Sequence, residues 1–273
     1  MKLGARAHDF GRHKLDALFG VIAGHGFDTV QLALTKCAEG VSSFDDINED
    51  LCAEAADALA RNGLECAVFG CYVDLAAEDP GVREKAVGSF IKSMELNRDI
   101  IKAGVVGSES CYKRPGKLEK RRLFPYFLES VDRICEASEK LNTDFALEPV
   151  AWHVLEDVWL MRELLDRCNC SHFRVIFDLA NVLDRPQVVD QKGYWKECFD
   201  LLGDRISAIH LKDIQMSPEG KQIQVLIGEG LIDYGVLKEW LRDRPDMPVM
   251  REGINPESAE KDIAEMRKLD GRE

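Results

Sequence analysis

Ile206-Ser207-Ala208-Ile209-His210-Leu211-Lys212-Asp213-Ile214 reads as a buried strand, apolar on nearly every side, that ends by delivering a histidine, a lysine and an aspartate within four residues. Side chains alternate along a strand, so His210 and Lys212 share one face while Leu211 and Asp213 take the other. An imidazole and an amine therefore leave the strand end together. A histidine alone in such a place is more often a satisfied core residue than a ligand, because histidine is intermediate in burial. The meaning of His210 depends on what other strands bring to the same end.

Working outward, short apolar runs recur at residues 3–7, 29–34, 65–71, 100–106, 144–148, 173–178, 206–212 and 248–252, each followed by a helical pattern. Ile47, Leu51, Ala55, Ala58 and Leu59 repeat at helical spacing, and Asn62-Gly63 supplies a stop. Asp79-Pro80 caps and opens a helix running towards Asn97. Further helices are expected over residues 118–141, 154–167, 194–202, 234–242 and 257–269, the last opening at Asn255-Pro256. Strands that are each followed by a helix must run parallel, with the helices as crossovers. Eight such repeats in 273 residues match an α/β fold, a (β/α)8 TIM barrel, in count and size. A doubly wound sheet would announce itself with a glycine-rich turn after the first strand, and Ala7-His8-Asp9-Phe10-Gly11-Arg12-His13 is no such turn. With no composition break or linker, residues 1–273 are expected to form one TIM-barrel domain. The longest irregular stretches, 107–116 and 215–233, follow the fourth and seventh strands, on the face where barrel active sites are built.

The 36 basic and 49 acidic residues leave a formal charge of −13, which repels phosphate backbones and anionic membranes. The one basic cluster, from Lys113-Arg114 through Lys117 to Lys120-Arg121-Arg122, reads as a solvated face around a helix start. No apolar run approaches the roughly 18–20 residues of a membrane helix. His8 and Asp9 arrive before a signal-peptide core could form, so a cytoplasmic location is expected. The nine cysteines are odd in number and scattered, and they read as reduced thiols. Cys168-Asn169-Cys170, the one close pair, lacks partners at zinc-finger spacing.

The strand ends carry the chemistry. Strand five ends in Leu147-Glu148-Pro149, six in Phe177-Asp178, seven in His210 and eight in Arg251-Glu252. Each ionisable group follows apolar neighbours, where an unpaired charge is expensive. The alternative is a set of separate ion pairs with Arg174, Lys212 or Arg251. Three carboxylates and a histidine from four successive units are expected to form a divalent-metal site, because a cation neutralises charges that would otherwise drive protons back on.

The ordered motifs Leu-Glu-Pro at Glu148, Phe-Asp-Leu-Ala-Asn at Asp178, Ile-His-Leu-Lys-Asp at His210, Gly-Glu-Gly at Gly228–Gly230 and Arg-Glu at Glu252 resemble the xylose isomerase-like superfamily, more narrowly its sugar phosphate isomerase/epimerase branch. The resemblance implies a TIM barrel holding one divalent metal on Glu148, Asp178, His210 and Glu252, with Glu148 and Glu252 also moving protons as catalytic residues. The expected reaction is isomerisation or epimerisation of a small sugar, keto-sugar or cyclitol through a metal-stabilised cis-enediolate. A dehydratase needs the same parts. One departure leaves the substrate open: many epimerases of this group have histidine three residues after the aspartate, and here Asn181 stands there. It can hydrogen-bond a hydroxyl but cannot give up a proton at neutral pH. An endonuclease IV-like phosphodiesterase, from the same superfamily, needs several extra histidines, and the chain has six in all.

Other substrate contacts are expected from His8 after strand one, Glu109 after strand four, His153 beyond Glu148, Asn181, and Lys212, whose point charge suits an oxyanion or a carboxylate. Trp152 is placed to floor the pocket. Gly228-Glu229-Gly230 reads as a sharp turn rather than a phosphate loop. One imidazole with three carboxylates and no thiolate fits manganese, magnesium or cobalt at least as well as zinc. The partners expected are a sugar or polyol substrate and, at most, further copies of the chain as a homo-oligomer, with neither nucleic acid nor membrane.

Overall fold

A computed structural model describes residues 1–183, 187–218, 221–254 and 256–270, without the side chains of 187 and 188. Eight strands close into a barrel: β1 (Lys2–Arg6), β2 (Thr29–Leu32), β3 (Glu65–Gly70), β4 (Val105–Glu109), β5 (Phe145–Glu148), β6 (Phe173–Asp178), β7 (Ile206–Leu211) and β10 (Pro248–Arg251). Their order around the barrel is β1-β10-β7-β6-β5-β4-β3-β2, and every neighbouring pair is parallel. Between β7 and β10 a separate antiparallel hairpin forms from β8 (Asp213–Met216) and β9 (Gln222–Val225). The helices are α1 (Leu15–Gly24), α2 (Leu34–Cys37), α3 (Glu49–Arg61), α4 (Pro80–Leu96), α5 (Lys117–Leu141), α6 (Val158–Cys168), α7 (Leu179–Val182), α8 (Gln191–Leu202), α9 (Gly235–Leu241) and α10 (Ala259–Leu269). Among the described residues no helix is long and apolar enough to cross a membrane. All nine cysteines are free thiols.

The barrel interior is a packed plug built from unequal residues. Ala67, Val68, Val105, Ala146, Ile176, Ala208 and Met250 form an apolar cluster inside the ring, separate from the larger core under the helices. Large side chains lie over glycines on other strands. A Cβ on Gly4 would stand 2.3 Å from Met250 Sδ, and one on Gly107 would stand 2.6 Å from Ile176 Cδ1. Such filling makes a barrel a core rather than a pore.

Several boundaries differ from the sequence reading for identifiable reasons. The run at 100–106 begins as helix: Asn97–Ile101 form a π-turn that prolongs α4, Lys102 is left-handed at φ 58°, and the strand starts only at Val105. Asn97 fixes this end, its Nδ2 donating to the Ala103 carbonyl and its Oδ1 accepting from the Ala103 amide. The helix expected from 154 starts at Val158, where the Asp157 carboxylate caps it by accepting from the Leu160 amide. The stretch 215–233, read as irregular, contributes β9 and the end of β8. The Asp79 cap is as expected, accepting from the Val82 amide. Of the Asn255-Pro256 start, Asn255 lies outside the described residues; Pro256–Ser258 form a 3-10 turn before α10.

Candidate metal centre

Register brings the ligands together. Asp178 on β6 is the pairing partner of His210 on β7, so the two side chains leave the sheet on the same face. Glu148 ends β5, and Glu252 follows β10, where its amide donates to the Leu211 carbonyl at 3.0 Å. Glu148, Asp178 and His210 are 2% or less exposed. The four residues offer ligand atoms that all lie within 4.8 Å of one another, and among the described residues no other group of His, Cys, Asp or Glu could hold a metal ion in this way. Ligands at about 2.0–2.2 Å from a central cation would be separated by no more than roughly 4.4 Å, so only a small contraction of the cluster is required.

The orphaned atoms fit such a cation. Asp178 Oδ2 and both ring nitrogens of His210 are buried without a hydrogen-bond partner. His210 Nδ1 stands 3.0 Å from Glu148 Oε2 and 3.3 Å from Glu252 Oε2, within ion-pair range but not aligned as hydrogen bonds. Against the desolvation of burial, these two carboxylates push the imidazole up to about 10. Burial, partly offset by Lys212 and reinforced by Glu252 and Glu148, raises Asp178 to about 6.

Lys212 has several partners. Its Nζ lies 3.1 Å from Asp178 Oδ2 and donates to Glu252 Oε1 at 2.8 Å and to Asn181 Oδ1 at 2.7 Å. Of the separate ion pairs that the sequence also allowed, Arg174 goes to Asp144 and Arg251 to Asp262, so neither consumes a cluster carboxylate. Asn181 links the amine to the ligands, its Nδ2 donating to Glu148 Oε1 at 2.5 Å. Burial would raise the Glu252 carboxyl, but Lys212 and Arg6 outweigh it and hold that group well below the usual range.

The remaining expected residues surround this centre. His8 packs edge-on to Tyr72, and burial followed by Arg6 lowers it to about 4. Glu109, in register with Glu148, lies 3.3 Å from His153 Nδ1. Burial, then Glu148 and Glu252, raise Glu109 to about 7, while burial lowers His153 to about 4. Trp152 lines a cavity of about 580 Å³ that opens over Lys212 and Glu252.

Sequence reasoning missed Arg6 and the roles of Asp9 and Asp213. Arg6, at the end of β1, lies 3.1 Å from Glu252 Oε1 and forms a forked pair with Asp9. Asp9 accepts from the Gly253 and Ile254 amides and so ties β1 to the chain beyond β10. Asp213, the outward neighbour of Lys212, is 1% exposed and accepts from the amides of Ile214, Gly228, Gly230 and Ile232. That carboxylate explains the Gly-Glu-Gly turn: Gly228 has φ 85°, and a Cβ on Gly230 would fall 2.0 Å from Asp213 Oδ1.

A sequence profile described as a xylose isomerase-like TIM barrel matches residues 19–269. No curated protein matches by sequence. Among solved structures, a D-psicose 3-epimerase crystallised in the presence of D-fructose is 14% identical at TM-score 0.74, over 98% of this chain and 99% of that one. The 3-keto-D-glucoside 4-epimerase from E. coli is 15% identical at TM-score 0.74, over 99% of both chains. A xylose isomerase-like TIM barrel protein from Mycobacterium smegmatis, in complex with magnesium, is 12% identical at TM-score 0.74, over 98% of this chain and 95% of that one. At these identities the likeness shows the fold.

Proposed function

The chain belongs to the xylose isomerase-like TIM-barrel family, and from that membership we propose that it is a divalent-metal-dependent isomerase or epimerase of a small keto-sugar or cyclitol. The observation that carries this reading is the pair of glutamates on either side of His210, one from β5 and one after β10, at 3.0 and 3.3 Å from the same nitrogen. Glu148, Asp178, His210 and Glu252 would hold the metal. A bound divalent cation supplies Lewis acidity towards neighbouring carbonyl and hydroxyl oxygens of a substrate.

The chain's own residues do the rest. One glutamate takes the proton from the carbon beside the carbonyl; the electron pair of the broken C–H bond forms a carbon–carbon double bond, and the carbonyl π pair moves onto its oxygen to give an enediolate. The other glutamate returns a proton. Delivery to the opposite face of the same carbon epimerises, and delivery to the neighbouring carbon, with a proton passing from the hydroxyl oxygen to the former carbonyl oxygen, isomerises. Lys212 and Arg6 keep the Glu252 carboxylate ionised and fixed. Asn181, bonded to both Lys212 and Glu148, orients the pair and leaves proton transfer to the glutamates. His8, Glu109 and His153 supply hydrogen bonds to substrate hydroxyls. The sugar epimerases among the structural neighbours are in keeping with this chemistry.

The test is exchange in deuterated water with a panel of ketoses and a saturating divalent metal. Deuterium should enter the carbon beside the carbonyl, and Glu148→Gln and Glu252→Gln should each reduce the rate by at least a hundredfold with an unchanged circular dichroism spectrum. Full exchange in either variant would remove that residue from the proton path.

A further inference from the structure

The cavity over the metal centre has an outer wall of a different character from its floor. The hairpin supplies one side: pairing of Ile214 with Gln224 and of Met216 with Gln222 puts all four side chains on the face that lines the cavity. Arg114 lines the same cavity, its guanidinium 4.7 Å from the Trp152 ring centroid. Lys221, the residue before β9, also lines this rim. Neither Arg114 nor Lys221 has a carboxylate partner among the described residues, although the chain carries 13 more acidic than basic side chains.

The charges separate into two zones. At the floor, the carboxylates of Glu148, Asp178 and Glu252 face Lys212 and would be neutralised by that amine together with a divalent cation, while Arg6 pairs with both Asp9 and Glu252. Arg114 and Lys221 are left over as two positive charges facing the same cavity. A guanidinium already stacked on an indole loses little freedom when it forks onto an oxyanion, and arginine is the side chain whose geometry suits carboxylate and phosphate. The basic stretch around Arg114 is solvated, as its sequence suggests, and Arg114 is exposed yet also lines the mouth of this cavity.

We propose that this rim is an oxyanion subsite, so that the substrate is a polyhydroxylated keto compound bearing a carboxylate or phosphate at the end remote from the carbons that exchange protons. The proposal rests on the isomerase reading of the floor. Its test reads equilibrium binding and needs no turnover. Calorimetric titration of the manganese-loaded protein would compare D-fructose, D-fructose 6-phosphate and 5-keto-D-gluconate, a neutral compound, a phosphate and a carboxylate of equal carbon number. At least one acid should bind tenfold or more tightly than fructose, and the stronger of the two identifies the group. Arg114→Ala/Lys221→Ala should reduce that advantage to under threefold, whereas Arg121→Ala, from the same basic stretch but facing another cavity, should leave it intact. The subsite is refuted if neither acid outbinds fructose, absence of all binding included, or if the advantage survives the double substitution. Acid binding through Arg114 and Lys221 without deuterium exchange would keep the subsite and overturn the proton chemistry instead.

Discussion

His8 illustrates how a single side chain ties the site to stability. Its ordinary value of 6.5 falls to about 4 in the fold because burial disfavours the imidazolium and Arg6 repels it. Between these values the unfolded chain binds a proton that the folded chain does not, so stability is complete above pH 6.5 and declines as pH falls towards 4. From pH 7 to 5 the decline is about 2 kcal/mol for this one residue. His8→Gln removes it. The melting temperature of that variant should fall roughly 3–4 °C less than the wild type's over the same interval, and an equal fall would show that His8 does not stay neutral. His8 was legible as a pocket candidate because it follows a strand directly. Glu148, Asp178, His210 and Glu252 were legible for a stronger reason, since each closes an apolar run where a charge has no cheap alternative. Arg6 was not: one arginine at a strand end says nothing until β1 is known to lie beside β10.

At the scale of elements, the hairpin and its return loop hang on Asp213. One buried carboxylate takes four amides, and these donors belong to β8 and to three positions of the returning chain. Asp213→Ala strands those amides, at a cost of about 3 kcal/mol when charge-assisted bonds are lost and partly replaced by water. Denaturant unfolding should register that loss, and hydrogen exchange should speed up at Gly228, Gly230 and Ile232 before the barrel strands respond. Exchange that accelerates evenly across the barrel would contradict a local role. The barrel strands themselves were readable from the sequence within a few residues, because Val-, Ile- and Phe-rich runs separated by helical patterns leave few alternatives. The hairpin was not readable: Gln222-Ile223-Gln224-Val225 is short and half polar, and its partner strand begins with an aspartate. The start of β4 was misplaced because Ile100 and Ile101 extend an apolar run that belongs to the end of a helix.

For the molecule as a whole, the four clustered ligands come from four consecutive barrel units, with Glu148 and Glu252 at the ends of the series. A cation there would cross-link strand ends that the backbone holds only through neighbouring ladders. At a hundredfold excess over its dissociation constant, a ligand specific for the folded state adds about 2.7 kcal/mol. Scanning calorimetry should therefore show a rise of roughly 5 °C when manganese is added to chelator-treated protein. Asp178→Asn/His210→Gln should abolish the response, and a rise that persists in this variant would locate the metal elsewhere.

Closure of the barrel also sets an order of events in the life of the chain. β1 lies between β2 and β10, so during synthesis this strand of the barrel has one neighbour early and the other only at residues 248–251. At ordinary synthesis rates that interval is roughly 10–50 s. During it the nascent chain has an unpaired strand edge, and Arg6 and Asp9 wait for Glu252 and Gly253. A cation held by all four ligands would therefore have to wait until Glu252 has been made, and a ribosome stalled before residue 248 would display a barrel that chaperones can hold but that no cation can complete.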